Sequence, residues 1–440
     1  MSAPRLLIVC GEPIGARMAG PAIRAVELAR AVANAGAGVT LSAPRGEGLA
    51  PLPADINHIP LANDILRREL SEHTCVLVGA TLMTRFPALR RAQVPVGVDL
   101  YVPVALEVAQ LFARSPRPVL SASVAEAEAS LRFELMRADQ VFCATDRQRD
   151  LWLGAALAIG RLGPLGAGGD LVQVVPFGVP ETPPQTGPAA LRGVVDGIGA
   201  DDQIALWAGG LYEWFDPELV VEAVRRLLPE MPRLRLVFLG AAPPNSALHT
   251  HSAAARTCRL ADDLGLTGKH VFFLEGWVPY QDRGRYLLEA DIGVSAHFDT
   301  LETRYSWRTR LLDYVWAGLP TAATGGDELS ERMAKAGAAV LCPPGDAEGL
   351  AAAMRLLLKG ERGERPRRAE VDLARELRWS AVAAPIVDWV HHPVRTGGAA
   401  GSLQASVALW RMFAVKAASA VREEGISGVL RRARRFSDGG

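Results

Sequence analysis

The chain contains the segments Arg5-Leu-Leu-Ile-Val-Cys10, Gly11-Glu-Pro-Ile-Gly-Ala-Arg-Met-Ala-Gly20 and Pro21-Ala-Ile-Arg-Ala-Val-Glu-Leu-Ala-Arg-Ala-Val-Ala-Asn-Ala-Gly36 in direct succession. The apolar run of the first segment lacks alternation, which is typical of a strand buried on both faces of a parallel sheet. Pro21, followed by apolar residues at helical spacing, predicts a helix that ends near Gly36. Strand, glycine-rich loop and helix indicate the beginning of a doubly wound α/β domain.

The same alternation continues along the chain. Further strands are predicted at Val39–Ser42, Cys75–Ala80, Val94–Leu100, Gln140–Thr145 and Val172–Val179. A second series is predicted at Gln203–Ala208, Arg233–Gly240, Val271–Leu274, Ile292–Ala296, Pro320–Ala323 and Ala339–Cys342. Its helices are predicted at Pro217–Leu228, Pro279–Ala290, Ser306–Trp316 and Asp346–Leu358. Two such series predict two Rossmann-like parallel-sheet domains, with a ligand cleft between them.

Proline-rich and glycine-rich segments suggest where the domains end. Pro180–Gln185 contains three prolines and predicts the linker and hinge, so we expect domains at 1–180 and 186–393. Residues 394–440 are predicted to form a basic helical tail, since eight Lys and Arg face three Asp and Glu after Pro393. Two alternatives stay open for residues 403–435: the helix packs on the body, or it lies on an anionic membrane surface.

Charge and cysteine usage exclude several classes of protein. Lys and Arg number 48, as do Asp and Glu, so the zero net charge argues against nucleic acid as a partner. The five cysteines show no CxxC pair, which predicts structural thiols in a reducing compartment and no metal site. The sequence has neither a signal peptide nor an apolar run of about 18 residues. We therefore expect a cytoplasmic protein, with at most peripheral membrane contact.

The residues after Ala296 are the densest candidate site, because ligands bind where parallel strands end. Ser306 is predicted to cap a helix whose free amides attract an anion, and Arg310 and Asp313 share a helix face with it. Arg304 and Arg308 add positive charge nearby. This pattern predicts a site for a diphosphate and a ribose. The alternative is an Arg310/Asp313 pair on an ordinary surface helix.

Two glycine-containing loops are weaker candidates. Gly209 and Gly210 end the first strand of the second series and let the backbone approach an anion, although a simple tight turn explains them too. The first loop does not have the spacing of a dinucleotide fingerprint. It is nevertheless long enough to close over a ligand. We assign to the acceptor side of the site Glu12, Gly15, Arg17 and Gly20.

Several motifs resemble the retaining GT-B glycosyltransferases of family four, in a bacterial subgroup associated with cell-surface polysaccharide. In the second half these are Gly209-Gly210, Phe238-Leu-Gly240, Glu275-Gly-Trp-Val-Pro279, Ala290-Asp-Ile-Gly-Val-Ser295 and Leu312-Asp-Tyr-Val-Trp-Ala-Gly-Leu-Pro320. In the first half they are Gly20-Pro-Ala-Ile-Arg24, Asp99-Leu-Tyr101, Gln148-Arg-Asp-Leu-Trp-Leu-Gly154 and Val175-Pro-Phe-Gly178. The resemblance covers about residues 1–392.

The resemblance implies transfer of a sugar from a nucleotide-diphosphate donor to a glycan or lipid-linked acceptor, with retention and without metal or cofactor. The second glutamate of the family's acidic motif corresponds to Asp313, but the first falls on Tyr305, and Glu302 is the nearest substitute. Asp99 is the candidate for orienting the sugar or acceptor, or else a turn residue. The expected catalytic set is therefore Asp99, Glu302 and Asp313.

The family also tends to place a basic residue shortly after the counterpart of Gly210, and this chain has none there. We expect Arg304, Arg308 and Arg310 to supply that charge. Two other classes of function remain open from the sequence. One is a different GT-B enzyme, such as a nucleotide-sugar 2-epimerase or a phosphorylase. The other is a non-catalytic nucleotide-sugar-binding protein, which the absence of the first glutamate would suit.

Overall fold

The computed structural model describes residues 3–48, 52, 55–162, 169–240, 252–274, 276–360, 365–396 and, near the end, 407, 410, 413 and 414. The chain divides into two compact units. The first comprises the described residues of Met1–Gly15, Gly20–Pro176 and Val382–Gly440, and the second those of Ala16–Ala19 and Phe177–Ala381. Each unit contains one parallel sheet with helices, which confirms the predicted pair of Rossmann-like α/β domains.

The sheet of the first unit contains seven strands, all parallel to their neighbours. The strands are β1 (Arg5–Val9), β2 (Gly38–Ser42), β3 (Ile56–Ile59), β4 (Cys75–Gly79), β5 (Val96–Asp99), β6 (Gln140–Cys143) and β7 (Val172–Val174). They lie in the order β3-β2-β1-β4-β5-β6-β7, so the direction of the order reverses between β1 and β4. Leu6 and Leu7 of β1 are fully buried, as an apolar run without alternation predicts.

Helices connect these strands and pack on the sheet. They are α1 (Gly20–Asn34), α2 (Asn63–Glu72), α3 (Pro87–Arg90), α4 (Val104–Leu111), α5 (Arg117–Arg137) and α6 (Asp146–Ala158). A late helix of the chain also belongs to this unit, and its Trp389 packs edge-on against Phe142 of β6, with ring centroids 5.6 Å apart. Gly97 leaves room for that indole, since a Cβ there would lie 3.0 Å from the Trp389 ring.

The second unit has a six-stranded parallel sheet in the order β10-β9-β8-β11-β12-β13. Its strands are β8 (Gln203–Ala208), β9 (Leu234–Leu239), β10 (Val271–Phe273), β11 (Ile292–Ser295), β12 (Thr321–Thr324) and β13 (Ala339–Cys342). This is the strand order of nucleotide-binding Rossmann folds, and it reverses between β8 and β11. Ligands of such sheets bind outside the carboxyl ends of the strands at that reversal.

The helices of the second unit follow the strands in regular alternation. They are α7 (Pro217–Leu227), α8 (Ser252–Asp263), α9 (Arg283–Glu289), α10 (Leu301–Tyr305), α11 (Thr309–Ala317), α12 (Glu328–Lys335), α13 (Ala347–Leu358), α14 (Arg365–Glu376) and α15 (Trp379–Val382). The helix that returns to the first unit is α16 (Ala384–His391). None of the described helices is long and apolar enough to cross a membrane.

Each predicted strand has an observed counterpart, and two have the predicted bounds, namely β8 and β13. The sequence analysis missed β3, because Asn57 and His58 give this short edge strand little apolar character. The predicted strand Val172–Val179 ends at Val174, two residues before a proline. Pro176 cannot donate a ladder hydrogen bond, which accounts for the early end.

The predicted helix Ser306–Trp316 is wrong at its beginning. The chain instead forms the short helix α10, an extended connection, and then α11 from Thr309. Ser306 ends α10, and its Oγ donates to the backbone oxygen of Glu302 at 2.7 Å rather than capping α11. The extended φ and ψ of Arg308, −78° and 98°, allow its side chain to turn back toward α10.

The compact units differ from the predicted domain boundaries. Residues 382–393 lie in the first unit, and residues 16–19 and 177–180 lie in the second. The predicted linker is held within the second unit, since Trp316 donates its indole N–H to the carbonyl of Thr182 at 2.7 Å. Ser380 likewise donates its N–H to the carboxylate of Glu181 at 2.7 Å. The chain passes between the units at 15–16, 19–20, 176–177 and 381–382.

Candidate active site

The strand-order reversal of the second sheet brings two loops together at its carboxyl edge. Gly209 and Gly210 follow β8, and His297 lies two residues after the end of β11. The two strands are neighbours, with Ile292 paired to Ala205. The sequence predicted both loops as parts of a site, and the topology places them side by side.

Arg310 of α11 fixes the glycine turn after β8. Its Nε donates to the carbonyl of Ala208 at 2.9 Å, and Nη2 donates to that of Gly210 at 2.7 Å. The guanidinium also lies over the rings of Trp207 and Phe215, at 3.9 and 4.2 Å from their centroids. Burial lowers the pKa of Arg310 to about 10, so the group stays protonated at neutral pH. Arg310 therefore binds the protein's own backbone.

The turn at Gly209 and Gly210, which Arg310 clamps, has two backbone N–H groups without an acceptor among the described residues. Because Arg310 takes up the carbonyls of Ala208 and Gly210, the N–H groups of Gly209 and Gly210 are left, and neither donates to another residue in the described parts of the chain. Gly209 has φ +114°, a conformation that other residues rarely adopt. Successive amides in such a turn form a binding place for an anion.

Tyr314 connects the same helix to both central strands. Its Oη accepts the N–H of Ala208 at 3.0 Å and lies 2.7 Å from the carbonyl oxygen of Leu206 and 3.0 Å from that of Val294. A Cβ on Gly293 would lie only 2.6 Å from the Tyr314 ring. Helix α11 is thus fixed to the sheet by one fully buried tyrosine that needs a glycine opposite it.

Glu302 and Arg308 form a buried ion pair. The two oxygens of Glu302 accept from Nη1 and Nη2 of Arg308 at 2.9 and 2.7 Å, and the Ser306 hydroxyl shares its one proton between Oε1, at 2.5 Å, and the backbone oxygen of Glu302. Glu302 is 1% exposed and Arg308 is 4% exposed. Neither group faces solvent, so the predicted roles of Glu302 in catalysis and of Arg308 and Ser306 in donor contact do not match this placement. The pair holds α10 against the start of α11.

A polar cluster with unsatisfied atoms surrounds this ion pair. Three buried side-chain atoms of this cluster have no hydrogen-bond partner among the described residues, namely Nε2 of His297, Nε of Arg308 and Oδ2 of Asp327. Burial lowers the pKa of His297 well below its ordinary value, with Arg308 and Arg310 adding to the effect, so the imidazole is neutral at pH 7. Burial raises the pKa of Asp327. A buried donor or acceptor without a partner lowers the free energy of unfolding. The cluster therefore destabilises the fold next to the candidate site.

Asp313 lies on the partly exposed side of α11. Its Oδ1 accepts from Nε of Arg283 at 2.9 Å, and its side chain is 29% exposed. Arg283 in turn lies between the rings of Tyr280 and Trp316, at 3.7 and 4.4 Å from their centroids. Asp313 therefore pairs with Arg283. The sequence analysis missed this partner, because no sequence motif links a single arginine to a residue 30 positions away. The predicted common face of Ser306, Arg310 and Asp313 is not formed, since Arg310 turns inward.

The remaining predicted donor residue is Arg304. Of the three arginines expected to replace the missing base, Arg308 and Arg310 direct their guanidinium groups into the protein and Arg304 is exposed. Arg304 lies in α10, one residue before Tyr305. It is therefore the member of this set placed to meet a ligand from solvent.

In the first unit, Asp99 forms a buried ion pair at the end of β5. Its two oxygens accept from Nε and Nη2 of Arg24 at 2.6 and 3.0 Å. Arg24 also donates to the carbonyls of Val175 and Pro176, at 2.9 and 3.0 Å. Asp99, at the end of its strand, thus joins α1 through Arg24 to the segment that leaves the first unit, and its role toward the sugar or acceptor stays a prediction. Asp99 also lines a cavity at the carboxyl edge of the sheet.

The four residues assigned to the acceptor side have separate roles. Glu12 lines the same cavity as Asp99, and Gly20 begins α1. Gly15 is buried against the backbone, where a Cβ would lie 2.6 Å from the carbonyl oxygen of Glu47. Arg17 is exposed, in the segment that belongs to the second unit. Of these residues, Glu12 lines the cavity at the carboxyl edge of the first sheet.

The geometry of the second unit agrees with what comparison of the chain finds. Residues 202–360 match the family model of glycosyl transferases group 1. That segment contains β8 to β13, the turn at Gly209 and Gly210, and the Glu302–Arg308 and Asp313–Arg283 ion pairs. No curated protein sequence matches the chain at a significant level.

Solved structures of similar fold cover most of the chain. Sucrose-phosphate synthase from Thermosynechococcus elongatus superimposes with a TM-score of 0.60 at 16% identity, over 88% of this chain and 98% of that one. WaaG, a glycosyltransferase involved in lipopolysaccharide biosynthesis, gives 0.59 at 17% identity, over 89% and 100%. Anabaena HepE, solved in complex with UDP-glucose, gives 0.62 at 13% identity, over 88% and 98%. At these identities the likeness establishes a GT-B-like fold.

We predict that the buried Glu302–Arg308 ion pair contributes to the free energy of unfolding. Glu302→Gln removes the charge that neutralises Arg308, and an uncompensated buried charge costs about 3–5 kcal/mol of unfolding free energy. Glu348→Gln is the matched control, because its partner Arg226 is exposed and such a pair contributes about 0–1 kcal/mol. Urea unfolding of the full chain, followed by tryptophan fluorescence, measures both. Equal changes in the two variants would contradict a structural role for the Glu302–Arg308 pair.

Proposed function

We propose that the protein is a glycosyltransferase that moves a sugar from a nucleotide-diphosphate donor to a glycan or lipid-linked acceptor, with retention of configuration and without a metal or cofactor. The match of residues 202–360 to glycosyl transferases group 1 supports the reaction class. The observation that carries the proposal is the turn at Gly209 and Gly210, clamped by Arg310 at the strand-order reversal of a Rossmann-type sheet.

The donor diphosphate is proposed to bind at this turn. The N–H groups of Gly209 and Gly210 are the proposed donors, and they are held in place before the ligand arrives because Arg310 binds the carbonyls of Ala208 and Gly210 on either side of Gly209. Preorganised donors stabilise the charge that grows on the leaving diphosphate without reorganising during the reaction. Arg310 is thus a positioning residue. Arg304, which is exposed in α10, is the proposed direct cationic contact in place of the base missing after Gly210.

Asp313 is proposed to accept hydrogen bonds from the donor ribose. Its Oδ1 is engaged by Arg283, which leaves Oδ2 for the ligand and holds the carboxylate in one orientation. The stacking of Arg283 between Tyr280 and Trp316 restricts the arginine, so the carboxylate is oriented at little further entropic cost. Asp313 then acts as the counterpart of the second glutamate of the family motif.

The position of the first motif glutamate is occupied by Tyr305, and Glu302 is buried in its pair with Arg308. Hydrolases that retain configuration use two carboxylates about 5 Å apart. No such pair is proposed here. We propose instead that the leaving phosphate assists deprotonation of the acceptor on the same face of the sugar, with Asp99 orienting the sugar or the acceptor.

Tyr305 stands where the family motif has its first glutamate. This substitution favours a second candidate function, a protein that binds a nucleotide sugar without turning it over. Release of nucleotide diphosphate from a donor panel by purified protein, with acceptor mixtures present and absent, separates the candidates. Release only with acceptor supports transfer. Donor epimerisation or hydrolysis without acceptor points to a different GT-B enzyme, and tight binding with no release in any mixture supports the non-catalytic alternative.

Asp313→Ala is expected to weaken donor affinity about ten- to a hundredfold, since a hydrogen bond to a charged group contributes about 1.5–3 kcal/mol. Isothermal titration with UDP- and GDP-sugars measures the change. Glu222→Ala is the matched control, because Glu222 is similarly exposed and also pairs with an arginine, but lies on α7. Unchanged affinity in Asp313→Ala, with wild-type binding intact, would show that Asp313 does not contact the donor.

Membrane contact by residues 403–435 is a further part of the proposal. Most of this segment lies outside the described residues, including its terminal arginines. Among those described, Val407 and Trp410 are 47% and 74% exposed, whereas the Phe413 ring lies 5.8 Å from the guanidinium carbon of Arg90. An exposed tryptophan beside basic residues suits an anionic lipid surface.

A truncation after Thr396 tests this contact and keeps the hydrogen bond from Thr396 to Asp139. The full chain is expected to sediment with vesicles of phosphatidylglycerol and phosphatidylcholine, and the truncated chain to stay in the supernatant with unchanged UDP affinity. Trp410→Ser should lower sedimentation partly. If the full and truncated chains sediment equally, the helix has no membrane role.

A further inference from the structure

The first unit contains a cavity of about 230 Å³ at the carboxyl edge of its sheet. Gly11 lies after β1, Ala80 after β4, and Asp99 ends β5, and all three line the cavity. The strand order of this sheet reverses between β1 and β4, so the cavity occupies the position where doubly wound sheets bind ligands. It lies entirely within the first unit.

The wall of this cavity is mainly apolar, and its charged residues are Glu12, Arg85 and Asp99. Leu28, Leu77 and Leu82 are among the lining residues. Asp99 carries no net charge toward the cavity because Arg24 neutralises it. Burial raises the pKa of the Cys10 thiol to about 12, so this lining residue is also uncharged. Glu12 is the other carboxylate of the wall, and its oxygens are acceptors of the kind that bind a hydroxyl of a ligand.

A second cavity of about 520 Å³ shares Gly11 and Arg85 with the first. Arg45 and Arg85 are both exposed and both line it, and its remaining lining residues include no carboxylate. Neither guanidinium group makes an ion pair with any residue that the structure describes. The two cavities are therefore neighbours, the first mainly apolar and the second lined by two arginines that make no ion pair with the described residues.

The loop that carries Arg85 is unusually well fixed. Thr81 has φ +68°, and it is the one non-glycine residue with positive φ in the described parts of the chain. The fully buried carboxylate of Glu134 accepts the N–H of Thr81 at 2.9 Å and that of Met83 at 3.3 Å. Arg85 then donates its own N–H to Leu82 at 2.9 Å. A strained loop held by a buried carboxylate is characteristic of a binding site rather than of a plain connection.

From these observations we propose that the acceptor carries a negatively charged group, a phosphate ester or a carboxylate, which Arg45 and Arg85 bind while an apolar part of the acceptor fills the neighbouring cavity. This inference rests on the proposed transferase function. Arginine suits both anions because its planar fork donates two parallel hydrogen bonds. Glu12 then accepts a hydrogen bond from a hydroxyl of the acceptor, and Arg45 and Arg85 bind its negatively charged group.

Binding of paired probes tests the inference on the full chain. Farnesyl phosphate and farnesol differ in a phosphate, and glucuronic acid and glucose differ in a carboxylate. Titration calorimetry with each probe is expected to show at least tenfold tighter binding of one anionic member than of its neutral partner. Which pair shows the preference identifies the source of the anion. Equal binding within both pairs would overturn the proposal.

Substitutions then locate the preference. The double variant Arg45→Gln/Arg85→Gln should lose the anionic preference, and Arg45→Lys/Arg85→Lys should recover part of it, since charge returns without the fork. Arg68→Gln is the control, because Arg68 is 70% exposed on α2 and lines neither cavity. A preference that survives the double Gln substitution would place the anion elsewhere.

UDP titration of the same variants separates failure of this inference from failure of the proposed function. All variants should bind UDP as the wild-type chain does, because the proposed donor site belongs to the second unit. Loss of anionic preference with UDP binding intact supports the inference. If the wild-type chain does not bind UDP, the proposed function fails, and an anionic preference that depended on Arg45 and Arg85 would then mark a site for an anion in a different reaction.

Discussion

The buried guanidinium of Arg310 is the contact on which the candidate donor site depends. It bonds to the carbonyls on both sides of Gly209 and stacks on Trp207 and Phe215, so one side chain joins α11, the end of β8 and the following turn. Tyr314, one helical turn later, bonds to both central strands. Together they hold a left-handed glycine turn at the strand-order reversal with its amides unused. The turn is thereby prepared for an anion before any ligand binds.

Charged residues in this chain have two roles. Some form buried ion pairs that fix loops, and others are exposed to solvent. The pairs Glu302–Arg308 and Asp99–Arg24 are both buried and both lie next to strand ends. Their desolvation is costly, and pairing with further hydrogen bonds offsets that cost. The groups left for ligands are the partly exposed Asp313 and the exposed arginines 304, 45 and 85.

The sequence predicted the fold well, because the strands of a buried parallel sheet are short continuous apolar runs that can be recognised in the sequence. It also predicted Gly209 and Asp313 as donor-site residues, and both stay predictions. It failed where side chains of the same type take opposite directions: Arg304 is exposed and Arg308 and Arg310 are buried, although spacing treats them alike. The break at Ser306–Arg308 depends on the tertiary pairing of Arg308 with Glu302. Arg283 and the cavity arginines carry no local pattern, since only folding brings them to their sites.

The central claim is that a nucleoside diphosphate binds at the clamped turn of the second unit. Hydrogen–deuterium exchange of the full chain with and without saturating UDP tests it most directly, because the amides of the turn are the proposed donors. The account predicts that UDP slows exchange in peptides covering residues 208–212 and 300–316, with smaller changes in the sheet strands. Binding of UDP, verified by titration, that slows exchange only in other peptides would contradict the account.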